Sequence, residues 1–257
     1  MALTKLHDPA KSGQLRIAGF MSRTGSNLTK IIEHEHRLKM ERGMSPFHVP
    51  VIFTDNWKSD AAKIGADFGI PVFNYDLEGF CRQRNLPVTD MDARRDFELF
   101  CSFVLKPFCC TAAAYAGYMR KATPVFVNAY LGVNVHPADL TLLGADGRPK
   151  YRGAHAVRDA IAAGETELRS STHLVTGAVD CGPVLMVSPS VTVRGNIDYD
   201  ILDRLAKAFQ DALKEKGDWV IFPKTLEYIA DGRFARDETG QLYFDGREIH
   251  AGLRIDS

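Results

Sequence analysis

The chain has no surplus of charge, because 32 Lys and Arg balance 32 Asp and Glu over 257 residues. A protein that holds nucleic acid by neutralising phosphates usually carries a basic excess, so no nucleic-acid partner is expected. It has no charge-free apolar run of about 18 residues, so no transmembrane helix and no membrane partner are expected. Residues 1–14 lack the apolar core of a signal peptide. Cysteine is sparse and oddly counted, at five. Cys109 and Cys110 are adjacent and the others are isolated. That pattern fits no disulfide framework and points to reduced thiols in the cytoplasm. Repeats and low-complexity tracts are missing. What is there is ordinary globular composition, 45% hydrophobic and 25% charged, which excludes a disordered or collagenous chain.

The pattern along the chain alternates strand and helix. Residues 16–21, 48–54 and 71–73 read as strands, and 28–40, 58–68 and 90–103 as helices, with Gly69 as a left-handed cap. The small residues at 112–116 fit either a helix or a buried strand. Residues 131–135 read as a strand ending at His136-Pro137. A helix follows over 154–163, and strands over 172–175 and 184–193. Helices are expected over 198–216, with Gly217 as breaker, and over 220–230. The tail carries turn signals at Thr239-Gly240 and Asp245-Gly246 and reads as a β-hairpin. The reading is a polar lead-in, residues 1–14, and a single domain, residues 15–257. That domain divides into an α/β core over 15–195 and C-terminal helices with a hairpin over 196–257. The alternation argues for an α/β fold with a mostly parallel, doubly wound sheet. In such sheets ligands sit beyond the carboxyl ends of the strands.

Three sets of residues could carry chemistry. Gly25, Ser26 and Asn27 join the first strand to the first helix, where backbone N–H groups can meet an anion. The same turn is equally readable as an ordinary N-cap, and it is neither G-x-G-x-x-G nor a P-loop. Asn134 and His136 project to one face of a strand end. An amide donor beside an imidazole suits an oxyanion and a moving proton, although a capping Asn and a structural His are the plainer alternative. Asp180, in a turn before Gly182-Pro183, could orient His136 or simply stabilise the turn. His155 and His173 flank the region without an evident role. Their spacings match no zinc pattern, so no metal is expected.

In order, the motifs GSNL at 25–28, AGYMR at 116–120, NVHP at 134–137 and THLVT-x3-DCGPV at 172–184 resemble the folate-dependent formyltransferases. The likeness is strongest to their glycinamide ribonucleotide branch in purine synthesis. It runs from about residue 16 to 234. It implies a Rossmann-like fold and transfer of a formyl group from 10-formyltetrahydrofolate, a co-substrate, to a primary amine. It implies catalytic roles for Asn134, His136 and Asp180. The folate would lie against Met119, Arg120, Lys121 and Ala122, and against Thr176, Gly177, Ala178 and Val179. The acceptor, a small phosphorylated amine, would meet Gly25, Ser26, Asn27, Arg23 and Asp218. Asp180 would keep His136 protonated, since a nearby carboxylate raises an imidazole pKa. A monomer or homodimer is expected.

The departures from the family cluster on the acceptor side. Arg23-Thr24 replaces Gly-Asn in the turn. Residues 141–149 are largely extra, and Arg152 stands where Pro is usual, giving a Tyr-Arg-Gly form closer to sugar-amine and methionyl-tRNA formyltransferases. The alternatives are therefore another amine, such as an amino sugar nucleotide or a secondary metabolite, hydrolysis of the formyl folate, or folate binding without turnover. Pro137 after His136 argues against the hydrolases, which carry His-His there. Too little chain follows residue 197 for the added barrel of the methionyl-tRNA enzymes.

Overall fold

The computed structural model describes residues 2–193 and 199–255. The boundary expected between residues 195 and 196, and the helix start expected at Asp198, lie outside the described residues. The chain divides into two compact units, Asp8–Val133 and Met1–His7 with Asn134–Ser257.

In the first unit, the strand Leu15–Met21 pairs in parallel with Phe47–Thr54 on one side and Ala112–Tyr115 on the other. Val72–Asn74 extends the sheet in parallel beyond Phe47–Thr54. The three central strands are buried along almost their whole length, as parallel strands covered on both faces are. That burial decides the open case at 112–116 in favour of a strand, against the helical propensity of alanine. The helix Ser26–Arg42 buries Leu28, Ile31, Ile32 and Leu38, the expected face. Ala61–Phe68 ends at Gly69 with φ 68°, the expected left-handed cap. Phe20 anchors the aromatic core, with Phe53 and Phe126 at 5.0 Å and Tyr115 at 5.2 Å between ring centres. Three helices escape the sequence pattern, Pro9–Ser12, Leu77–Gln83 and Pro124–Ala129. All are too short to show a period and are marked by their caps, Asp8, Asp76 and Thr123.

In the second unit, Ser171–Leu174 lies between Leu131–His136 and Val184–Val187. It is antiparallel to Val184–Val187, against which Leu253–Arg254 adds in parallel. The run expected as one strand over 184–193 is two, Val184–Val187 and Val191–Thr192. Pro189 lies between them and lacks a ladder N–H. The C-terminal hairpin forms as expected, with Asp245 and Gly246 both at positive φ, as a tight Asp-Gly turn requires. Thr4–Lys5, within the polar lead-in, pairs with Phe234–Arg236 of that hairpin.

Gly217 does not break the helix. Leu202–Leu213 continues through a π-helical turn, Lys214–Asp218, into Trp219–Ala230. A Cβ at Gly217 would stand 2.7 Å from Ser170 Oγ and 3.1 Å from Ser188 Oγ. Glycine here serves close backbone packing rather than termination. All five cysteines are free thiols. Among the described residues no helix is long and apolar enough to cross a membrane.

The tightest backbone approach in this unit is at Gly182, where a Cβ would strike the carbonyl group of Leu174. Backbone cannot give way as a side chain can, so Gly182→Ala should destabilise the fold by about 1–3 kcal/mol, the usual cost of overpacking. A fall in the urea midpoint at unchanged slope is the expected reading.

Candidate active site

Asn134 and His136 sit at the end of the strand Leu131–His136. Asp180 sits in the turn between Ser171–Leu174 and Val184–Val187, in the left-handed region at φ 51°, which Asp tolerates better than most residues. The fold brings all three together. His136 Nδ1 lies 3.5 Å from Asp180 Oδ2, and Asn134 Nδ2 lies 3.5 Å from Asp180 Oδ1. His136 and Asp180 are only 5% and 7% exposed.

Three groups left without a role by the sequence complete the cluster. His173 Nδ1 donates to the carbonyl of Leu174 at 2.9 Å, which leaves its Nε2 to accept from Asn134 Nδ2 at 3.1 Å. The carbonyl of Tyr151 takes the Nε2–H of His136 at 3.0 Å. The N–H of Gly153 donates to Asp180 Oδ2 at 2.9 Å. Side-chain type signals His173, but backbone partners leave no trace in a sequence. His155 is exposed at the start of the helix Ala156–Ala162 and takes no part in the cluster's hydrogen bonds.

Burial would raise the Asp180 carboxyl, but the closeness of His173, the charge that His136 gains in acid and the Gly153 N–H outweigh it and hold it at about 2. His136 moves the opposite way from the expectation. Burial disfavours its cation and lowers its pKa, and Asp180 offsets this only in part. The resting site is therefore an ionised carboxylate beside a neutral imidazole. Among the described residues no group of three or more His, Cys, Asp or Glu is placed to hold a metal ion.

The inserted residues form a small hairpin. Leu143 and Pro149 make an antiparallel bridge, and the N–H of Lys150 donates to the carbonyl of Leu142 at 2.7 Å. Its base is tied by Lys150 and Tyr151 to Glu165, at 3.2 and 2.7 Å. Arg152 follows, with Nη1 3.6 Å from Cys181 Sγ and Nη2 3.6 Å from Asp146 Oδ2. Thr176, Gly177, Ala178 and Val179 lie on a loop before Asp180, exposed at 177–179. Asp218 is buried in the π-helical turn, only 5% exposed.

The first unit gathers its own residues at the carboxyl ends of its parallel strands. Gly25 is left-handed at φ 63° and no side chain caps the helix that begins at Ser26. A Cβ on Gly25 would lie 2.7 Å from Ile64 Cδ1 and Met21 Sδ. Beside the turn, Ser22 Oγ donates to Asp55 Oδ1 at 2.5 Å and accepts from the N–H of Met119 at 3.0 Å. Arg120 is drawn inward, with Nε 2.8 Å from Asp55 and Nη2 3.0 Å from Glu78. Its guanidinium braces the 119–122 segment, while Met119 stays half exposed and Lys121 exposed, with Ala122 buried. Arg23 is exposed and does not close the turn.

The family described as Formyl transferase matches residues 15–215. The chain is similar to the phosphoribosylglycinamide formyltransferase of Escherichia coli (strain K12), 32% identical over 136 residues, which cover 52% of this chain and 56% of that protein. It thus spans just over half the length of that relative. It is similar to the same-named protein of Mycobacterium tuberculosis (strain CDC 1551 / Oshkosh), 27% identical over 198 residues, 76% of this chain and 79% of that one. Its fold matches the solved phosphoribosylglycinamide formyltransferase of Coxiella burnetii, with a TM-score of 0.69 at 23% identity over 94% of this chain and 99% of that one.

The two lowered pKa values have the same sign in folding. Stabilisation from neutral His136 is complete above the unfolded imidazole value of 6.5 and is lost as pH falls through the lower folded value. That from Asp180 is complete above 3.8 and lost toward about 2. Between pH 7 and pH 5 only the first acts. Over that window the wild-type urea midpoint should fall more than that of His136→Gln. An equal fall in both would show that His136 is not held neutral.

Proposed function

Because the chain belongs to the formyl transferase family, we propose that it transfers the formyl group of 10-formyltetrahydrofolate to the amine of glycinamide ribonucleotide. The acceptor follows from the relatives named phosphoribosylglycinamide formyltransferase. The observation that carries the reaction is the buried meeting of Asn134, His136 and Asp180.

The amine nitrogen attacks the formyl carbon, forming a C–N bond and a tetrahedral oxyanion. Asn134 Nδ2 meets His173 at 3.1 Å and Asp180 at 3.5 Å, and the N–H on the longer bond is the one that turns to the oxyanion. His136 enters neutral, with its Nδ1 lone pair toward Asp180. It takes the proton released by the amine, directly or through one water, and Asp180 stabilises the imidazolium so formed. The bond from the formyl carbon to folate N10 then breaks, and His136 returns the proton to N10. The products are a formamide and tetrahydrofolate, and no net proton is gained or lost. Residues 119–122 and residues 176–179 are each proposed to contact the tetrahydrofolate. The left-handed Gly25 and the first turn of the helix after it, together with Ser26, Asn27 and Arg23, are the proposed hold for the acceptor phosphate.

Turnover with 10-formyltetrahydrofolate and glycinamide ribonucleotide tests the proposal. His136→Ala and Asp180→Ala should each lower kcat by about 10²- to 10⁴-fold. The double variant should be little worse than either single, because the two act on one proton. Additive losses would mean that the residues act separately.

A further inference from the structure

Arg152 is held only loosely by the fold. Several other guanidinium groups are forked onto close partners. Arg120 holds Asp55 and Glu78 at 2.8 and 3.0 Å. Arg233 holds both oxygens of Asp245 at 3.2 Å or less. Arg254 holds Thr141 and Asp139 at 2.8 and 3.1 Å. Arg152 has five N–H donors, yet among the described residues its polar partners are a thiol and a carboxylate, both at 3.6 Å. The thiol is a weak acceptor, and the Asp146 contact is longer than a normal N–H···O bond.

Its place is as informative as its contacts. The carbonyl before it holds His136, and the N–H after it holds Asp180. The backbone of residue 152 is thus pinned between the two reacting side chains. The side chain lies against Cys181, the residue after Asp180, with a third of its surface open to solvent. Asp146, on the inserted hairpin, is a loose and solvent-exposed counter-ion for it.

We propose that Arg152 is a binding residue for an anionic group of the acceptor amine, a phosphate or a carboxylate, and that Asp146 holds its place until the acceptor displaces it. The assignment rests on the formyl-transfer reading. A guanidinium beside Asp180 gives the site two poles. The carboxylate draws the amine end and the guanidinium draws the acid of the same molecule. Planar, forked recognition of carboxylate or phosphate is what arginine does better than lysine.

The test compares wild type, Arg152→Gln, Arg152→Lys and Asp146→Asn on three amines with 10-formyltetrahydrofolate. The amines are glycinamide ribonucleotide, its phosphate-free riboside, and glycine as a carboxylated amine. Arg152→Gln should raise the KM of the anionic acceptor about 10- to 100-fold, the worth of a charge-assisted hydrogen bond. Its kcat, its folate KM and its melting temperature should stay near wild type. Arg152→Lys should recover part of the loss. Asp146→Asn should lower the same KM, which no structural role of Arg152 explains. A loss confined to the ribonucleotide identifies phosphate, which would then rest on Arg152 and not on the Gly25 turn, and a loss confined to glycine identifies carboxylate. Equal loss on charged and uncharged amines, or a change in folate KM alone, overturns the assignment. If the wild type transferred no formyl group to any amine, the reaction reading would fail instead. Calorimetric Kd values for the same amines and for inorganic phosphate, wild type against Arg152→Gln, would still decide the role of Arg152.

Discussion

Asp180 is an ionised carboxylate almost out of water, and the second unit is organised around keeping it so. Burial of an uncompensated charge costs several kcal/mol. The N–H of Gly153 and the amide of Asn134 supply the compensation at rest, and two imidazoles stand 3.5 Å away to share a proton in acid. Each comes from a different stretch of chain, so the carboxylate acts as a clasp. The strand Leu131–His136 brings Asn134 and His136, and Ser171–Leu174 brings His173. The backbone at 151–153 arrives from the far side of an inserted hairpin. The left-handed backbone at Asp180 and the glycine two residues later let the turn pass close under Leu174.

The same burial fixes the state of His136. In water a neighbouring carboxylate would favour the imidazolium. Here the cation would also have to leave water, and desolvation outweighs the attraction. The expectation of a protonated resting His136 counted the partner and not the solvent, because a sequence shows residue types and not depth. A neutral imidazole whose Nε2–H is already committed to Tyr151 has one nitrogen left for chemistry. That nitrogen faces the carboxylate, an arrangement built for a proton that arrives and leaves.

Much of the fold is legible in the sequence because its signals are local. Apolar periodicity marks the helix Ser26–Arg42, Asp-Gly marks the hairpin turn, and Gly69 marks a helix end. The failures share a cause. Gly217 reads as a breaker because glycine destabilises helices by propensity, yet tertiary packing against Ser170 and Ser188 overrides that preference. Residues 112–116 are ambiguous for the same reason, since only the strands beside them decide. In the site, Asn134, His136 and Asp180 are visible as residue types in order. The carbonyl of Tyr151 and the N–H of Gly153 are not, since every residue carries them. Arg120 is visible, but its turn toward Asp55 and Glu78 is not.

The hairpin that Leu143 and Pro149 bridge shows how a surface loop can change while the buried groups beside it stay fixed. Lengthening a surface loop costs little, about 0.6 kcal/mol per doubling by chain entropy. This hairpin offsets part of that through its own bridge and through Glu165 at its base. Its two ends lead into residues that other groups hold. Arg254 grips Asp139 and Thr141 before it, and His136 and Asp180 grip residues 151 and 153 after it. Variation at the tip, including Asp146, therefore leaves the backbone beside the reacting pair in place. It alters only what the Arg152 side chain meets. A scaffold of this form separates the chemistry, which tolerates little movement, from recognition, which a few exposed residues can rewrite.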